Sequence, residues 1–199
     1  YSKWNFNDSI MATLFVDKLD PQSGTTLSLG SSGDTLQATS GTINNLGISV
    51  VDQWRLTTDL TNTATPISSN LERVDTDSPG FIGSAMTESS GIFTFPSTGI
   101  YLLTFGMSQQ IIGTADYASG SIQTTTNDSS YSDAALFYVS AATTATAFNS
   151  GFIAFVFDVT DTTTHKARFS VTQADSANKI KGNSNYSATS MTFTRLGDT

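Results

Sequence analysis

Six consecutive apolar residues, Phe152 to Phe157, lie in the segment Gly151–Val159. Successive side chains of a β-strand point to opposite faces, so Phe152, Ala154 and Val156 lie on one face and the other three residues on the other. A strand with two apolar faces needs cover on both sides. A two-layer sandwich covers one of them. The second face therefore predicts another subunit, or else a helix or loop of this chain.

Two further segments share this property. Leu102 points opposite to Leu103 within Gly99–Met107, and Tyr138 points opposite to Val139 in a later segment. Few residues remain between the predicted strands to cover these faces from within the chain. Another subunit is therefore the favoured partner, and an internal helix or loop is the alternative.

From Gly47 onward, the chain alternates apolar and polar residues between turn-forming stretches such as Ser78-Pro79-Gly80, and helix signals are nearly absent. Crossover helices are missing, which excludes a parallel α/β architecture. The many short strands indicate an all-β, antiparallel jelly-roll sandwich over residues 47–199. Strands are predicted at Ile48–Leu56, Leu71–Val74, Gly91–Phe95, Gly99–Met107, Ser121–Thr126, Ala134–Ser140, Gly151–Val159, Ala167–Thr172 and Ser190–Leu196.

Residues 1–46 have a different character. Between Gly24 and Leu46, short pieces of Thr, Leu and Ile are separated by glycines. Each piece is too short to bury a face by itself. We therefore predict an N-terminal extension that forms an extended arm or a stem, with a flexible Gly/Ser linker as the alternative.

One run of residues carries a family likeness. Residues 91–105, GIFTFPSTGIYLLTF, resemble the signature of the globular heads of the complement-one-q and tumour-necrosis-factor superfamily: Phe-Thr, a turn with Pro, then Gly-x-Tyr-x-x-x-aromatic. The family's usual Phe-Ser-Gly-Phe ending is reduced here to Ser190-Met191-Thr192-Phe193. The resemblance implies a ten-strand jelly roll that assembles as a homotrimer. It also implies a set of signature and core residues, namely Phe93, Gly99, Tyr101, Phe105 and Phe193.

The N-terminal part resembles a different group of proteins. Residues 11–37, MATLFVDKLDPQSGTTLSLGSSGDTLQ, are similar to the openings of virion appendage proteins of marine bacteriophages, either tail-fibre-like or decoration proteins. This resemblance implies a location on the virion surface. It also implies that the arm, residues 11–46, binds other virion proteins or forms a stem.

Composition excludes several classes of partner. Charged residues make up 13% of the chain and the net charge is −8, whereas 28 Ser and 32 Thr supply a neutral, hydroxylated surface. The nine basic residues are scattered, so nucleic acid is not an expected partner. The longest apolar stretch is far shorter than the roughly 20 residues that span a bilayer, so we expect no membrane insertion. The absence of Cys excludes disulfides and thiolate chemistry.

The sequence contains no recognisable set of catalytic residues, so we expect that the protein is not an enzyme. His165 is the only histidine, which excludes sites with several histidines, and it is predicted to be an exposed turn residue. Oxygen-rich turns are candidate Ca²⁺ sites, with ordinary solvated turn carboxylates as the alternative. The acidic pairs in predicted loops are Asp75 and Asp77, Asp158 and Asp161, and Asp128 and Asp133.

Ligand binding is predicted in two loops, Thr114–Gly120 and Asn127–Ser132. Their candidate residues are Tyr117, Asn127 and Tyr131, because exposed Tyr among Ser, Asn and Gly makes an adaptable binding surface. The leading hypothesis is a non-enzymatic bacteriophage virion protein with a trimeric fibre or decoration head. Two roles are open within it: the loops of the head bind a host-cell surface glycan or protein, or the head is passive and the arm does the specific binding. A bacterial surface or secreted adhesin or matrix subunit is the alternative, and a polysaccharide-degrading enzyme is a third class.

Overall fold

A computed structural model describes residues 48–112, 116–141 and 146–199 of the chain, so the predicted arm lies outside the described residues. Regular structure in the described segments is entirely β, and they contain no helix long and apolar enough to cross a membrane. The strands are β1 (Val51–Leu56), β2 (Leu71–Arg73), β3 (Phe81–Ile82), β4 (Thr87–Ser89), β5 (Ile92–Thr94), β6 (Gly99–Ile111), β7 (Asp116–Thr125), β8 (Ser132–Ala141), β9 (Ala147–Val159), β10 (Lys166–Gln173), β11 (Lys179–Ile180) and β12 (Ser190–Gly197).

Every predicted strand is present, with some shifts in its bounds. β6 continues to Ile111 instead of ending at Met107, and β7 begins at Asp116 instead of Ser121. Three strands were not predicted: β3, β4 and β11. Each has only two or three residues, which is too short for an alternation of apolar and polar residues to be recognised.

The strands form two antiparallel sheets. In the first sheet, β9, β6, β12, β1 and β2 are neighbours in that order, β11 pairs with the end of β6 beyond β12, and β3 pairs with β1 beside β2. In the second sheet the order is β4, β5, β10, β7 and β8. Both sheets contribute to one core of buried side chains. This arrangement confirms the predicted jelly-roll sandwich.

Aromatic rings fill the space between the sheets. The ring of Phe93 in β5 lies 4.9 Å from that of Phe193 in β12 and 5.6 Å from that of Phe169 in β10, measured between centroids. Phe105 of β6 is 5.3 Å from Phe169. Tyr101 is fully buried as well. Four of the residues of the family signature, Phe93, Tyr101, Phe105 and Phe193, are therefore core residues.

The turn between β5 and β6 joins the two sheets, so the two strands of the signature do not pair with each other. Gly99 has a φ of 144°, and a Cβ at this position would lie 2.6 Å from the carbonyl oxygen of Gly197, so the turn requires glycine. The hydroxyl of Tyr101 donates to the carbonyl oxygen of Ser97 at 3.0 Å. Tyr101 thus fastens the turn as well as filling the core.

Candidate functional site

The outer side of β9 carries a row of exposed apolar side chains. Phe148 and Phe152 are each 66% exposed and Val156 is 54% exposed, and Ala154 lies exposed between them. We call these four residues the apolar row. On the opposite face, Phe157 is buried in the core and Ile153 and Phe155 pack against it, which confirms the predicted alternation of two apolar faces.

The apolar row continues onto the neighbouring strands. Residues paired directly across an antiparallel ladder share a face of the sheet, and Phe152 is paired with Gly106 and Val156 with Leu102. The side chains that β6 and β12 add to this face are uncharged: Leu102, Thr104 and Gly106 on β6, and Thr192 and Thr194 on β12. Apart from Asp158 at the end of β9, these residues of β6, β9 and β12 therefore form an uncharged, partly apolar sheet face.

β9 is also the edge strand of its sheet. Its backbone pairs with β6 over all 13 residues, and no other strand in the described part of the chain pairs with it. A long edge strand with exposed phenylalanines and little charge is the kind of surface that proteins either cover or use as an interface. None of the described residues covers the apolar row. The geometry therefore identifies this face as a candidate self-association surface.

The residues predicted for ligand binding do not form one site. Tyr117 lies in β7, not in a loop, and residues 113–115 are outside the described residues. Asn127 and Tyr131 lie in the turn between β7 and β8, about 30 Å away along the strand at roughly 3.3 Å per residue. The prediction that Tyr117 lies in a loop is therefore wrong.

The turn residues Asn127 and Tyr131 have structural contacts. The side-chain oxygen of Asn127 accepts hydrogen bonds from the backbone N–H groups of Ser129 and Ser130, at 3.1 and 2.9 Å, and so shapes the turn. The guanidinium of Arg168 lies 4.1 Å from the ring centre of Tyr131. Burial, with the charge of Asp128, raises the pKa of the Tyr131 hydroxyl.

The acidic candidates are dispersed over the surface. Asp75 forms an ion pair with Arg55 at 2.6 Å, and Asp158 is exposed at the end of β9. Asp77 is exposed in a turn. Asp161 accepts hydrogen bonds from the hydroxyl and backbone N–H of Thr163, at 2.7 and 2.8 Å, and these lower its pKa. Within the described segments, no three His, Cys, Asp or Glu side chains come together as a metal-binding group.

His165 is buried, so the prediction of an exposed turn residue is wrong. Its ring stacks on Phe157 with centroids 5.7 Å apart, and its two nitrogens lie 3.2 and 3.1 Å from the hydroxyls of Thr160 and Thr164. Within the turn, the backbone N–H of His165 donates to the carbonyl oxygen of Asp161 at 2.9 Å. The histidine is thus a packing residue.

Two arginine ion-pair networks, each with one buried partner, were not predicted. Arg55 donates to Glu72 and Asp75, both at 2.6 Å. Arg73 holds Asp52 through two bonds of 2.9 and 3.1 Å. Both networks lie at the β1–β2 edge of the first sheet. The available signal in the sequence was that the two predicted strands carry opposite charges.

Comparisons with known proteins support the fold. No protein-family model matches the chain, and the search of curated proteins finds no match. Among solved structures, murine APRIL at pH 8.5 superposes with a TM-score of 0.52 and 16% identity, over 75% of this chain and 100% of that one. Eiger TNF from S. frugiperda superposes with a TM-score of 0.53 and 14% identity, over 76% of this chain and 94% of that one.

The domain therefore has a jelly-roll fold like that of these tumour-necrosis-factor-family structures. At these identities the likeness concerns the fold alone.

Proposed function

We propose that this protein is a non-enzymatic virion structural protein of a bacteriophage whose jelly-roll domain assembles into a trimeric head of a fibre or decoration appendage. The observation that carries the assembly is the apolar row on the edge strand β9. The fold, which is shared with structures of the tumour-necrosis-factor family, supports a head domain. The phage setting is supported by the resemblance of residues 11–37 to virion appendage proteins.

The apolar row is large enough to drive association. An aromatic side chain has about 150–250 Å² of surface, so a Phe152 that is two-thirds exposed offers about 130 Å² for burial. At about 25 cal/mol per Å², its burial contributes about 3 kcal/mol per subunit, and Phe148 contributes as much. When β9 of one subunit packs against a different surface of the next subunit, the contact is heterologous, and a closed assembly built from such contacts is a ring.

Light scattering of the full chain after gel filtration tests the assembly. The expected mass is three times the 21.1 kDa of one chain. Phe152→Asp should dissociate the trimer, because it places a carboxylate in an apolar interface. Tyr186→Asp is the matched control: Tyr186 is 61% exposed in the segment between β11 and β12, and its replacement should leave the mass unchanged.

A monomeric wild-type chain, or a Phe152→Asp chain that keeps the wild-type mass, would contradict the proposed assembly. The virion location has its own test. Immunogold labelling with an antibody against the full chain should decorate phage particles in electron micrographs. Unlabelled particles in lysates that contain the protein would refute the location and leave the assembly result intact.

A further inference from the structure

The outer face of the second sheet contains a groove with a hydroxyl-lined floor. Ladder pairing places Ser119 of β7 between Tyr138 of β8 and Thr172 of β10. One row further along, Ser121 lies between Leu136 and Ser170. Because the serines are smaller than the tyrosine, leucine and threonine beside them, they leave a depression with a volume of about 290 Å³.

The serine floor offers hydrogen-bonding groups to a ligand. Ser119 is 8% exposed, and Ser121 and Ser170 are each 5% exposed, so their side chains are almost buried at the bottom of the groove. The Ser170 hydroxyl donates to Gln123 at 3.2 Å. Within residues 48–112, 116–141 and 146–199, the hydroxyls of Ser119 and Ser121 have no hydrogen-bond partner. Two nearly buried hydroxyls thus point into the groove with their bonding capacity unused.

Aromatic rings form one wall of the groove. Tyr138 is 68% exposed and Tyr117 is 48% exposed, with ring centroids 6.3 Å apart and planes inclined by 56°. Leu136 extends this wall. Two inclined rings beside a polar floor present apolar faces and hydroxyl groups to the same small ligand.

A polar cluster closes one end. The Gln123 side chain donates to Asp133 at 2.9 Å and accepts from Arg168 at 2.7 Å. These bonds fix the amide and leave acceptor capacity on the Asp133 carboxylate. The charge of Arg168 is engaged with Gln123 and the ring of Tyr131, so the groove does not present a free cation.

We propose that this groove binds an uncharged sugar residue of a glycan. A sugar ring combines an apolar C–H face, which suits the tyrosines, with equatorial and axial hydroxyls, which suit the serine floor and Asp133. The volume is near the lower end of the roughly 300–1,000 Å³ of small-molecule sites, which fits one or two rings. This inference deepens the proposed function by naming a ligand class for the head, as the hypothesis of binding to a host-cell surface glycan expects, and its biological meaning rests on that function.

A peptide fits the groove less well than a sugar. Extended peptides usually add a strand to a sheet edge through backbone hydrogen bonds. The groove lies on the face of β7, whose backbone already pairs with β8 on one side and β10 on the other. A peptide bound there would have no backbone partners, whereas a sugar needs none.

Binding is tested with the full chain and a panel of uncharged probes: glucose, galactose, mannose and N-acetylglucosamine, each free and as short oligosaccharides. Saturation-transfer NMR detects binding, and titration calorimetry measures affinity. At least one sugar should bind. Tyr138→Ala should weaken that binding about tenfold or more, since stacking on the ring is lost. Tyr186→Ala is the matched control and should bind as the wild type does.

A second variant probes the floor. Ser121→Ala removes only the hydroxyl of the serine and adds no bulk to the floor, so it should also weaken binding. Failure of every sugar to bind, or binding that both Tyr138→Ala and Ser121→Ala leave unchanged, would overturn the proposal. Capture of an extended peptide from a peptide library, with loss in Tyr138→Ala, would also overturn it. Light scattering on the same samples reports assembly separately, because the groove and the apolar row lie on different sheets.

Discussion

Replacement of Arg73 by Met should destabilise the fold strongly. Asp52 faces the core and is 0% exposed, and Arg73, which is 29% exposed, supplies two of its three hydrogen bonds. The third comes from the backbone N–H of Met86 at 2.8 Å. The variant leaves a buried carboxylate with one neutral donor. Removal of one partner from a buried ion pair typically costs about 3–5 kcal/mol.

The partial exposure of Arg73 places the expected loss near the lower end, at about 3 kcal/mol. For a domain of this size, each kcal/mol corresponds to about 2–4 °C, so Tm should fall by about 6–12 °C. Scanning calorimetry or urea unfolding followed by tryptophan fluorescence measures the change. All variants need the same protein concentration, because association adds to apparent stability.

A double-mutant cycle isolates the ion pair. Asp52→Asn keeps an acceptor for the backbone N–H of Met86 but removes the charge. The double variant Asp52→Asn/Arg73→Met should therefore lose clearly less unfolding free energy than the two single variants lose together. Lys179→Met is the control, because its ion pair with Asp59 spans 3.7 Å at the surface and should contribute less than about 1 kcal/mol. If Arg73→Met costs no more than this control, or if the cycle is additive, then the fold does not depend on charge compensation of Asp52.

Two other predictions concern pH and the core. Burial raises the pKa of Asp59, but hydrogen bonds from Lys181 and Gly182 and the charges of Lys181 and Lys179 outweigh burial and hold the pKa below its usual value. A lowered folded-state pKa stabilises the fold above the unfolded-state pKa near 4, and that stability is lost as pH falls through the folded-state pKa. Asp59→Asn should therefore lower the free energy of unfolding at pH 6 and flatten the acid limb of the stability curve. An unchanged limb would contradict the assignment. Phe105→Asp should abolish folding or cost several kcal/mol, because Phe105 is fully buried among aromatic rings, and a soluble variant with a wild-type thermal transition would contradict its place in the core.

The sequence pattern was sufficient for the sandwich because most long strands alternate regularly. β9 and β6 show two apolar sets, and their register brings both sets to the expected faces. The pattern failed at the start of β7, where Asp116 to Gly120 contains small and polar residues. A Cβ at Gly120 would lie 2.6 Å from the ring of Phe137, so the small residue is required by a neighbouring aromatic ring on β8. This contact cannot be recognised from the residues of β7 alone, because Phe137 belongs to β8.

The candidate sites were harder to predict than the strands, because each site brings together residues that are far apart in the sequence. Tyr117 and Tyr138 are 21 positions apart in the sequence, yet hairpin pairing places their rings side by side. Asp52 and Arg73 belong to different predicted strands, and only the pairing of β1 with β2 joins them. His165 sits among turn residues, and its burial follows from the return of that turn onto Phe157.

The placement of charges explains why two faces of one sandwich can be neutral. Several charged side chains are withdrawn from the faces: Arg55 and Asp52 are buried in ion pairs at the β1–β2 edge, and the ammonium of Lys166 donates to the carbonyl oxygen of Thr162 at 2.7 Å. Apart from Asp158, the outer face of β9 and its neighbours is thereby left with apolar and hydroxyl groups, which suit the proposed second copy of the chain. On the outer face of the second sheet, the opposite charges of Asp133 and Arg168 both contact Gln123, and the serines and tyrosines suit the proposed uncharged sugar. In the proposed head, association uses the β9 side of the first sheet and the proposed sugar groove lies on the second sheet, so we expect one groove on every subunit, and clustered grooves should bind a multivalent glycan more tightly than a single groove does.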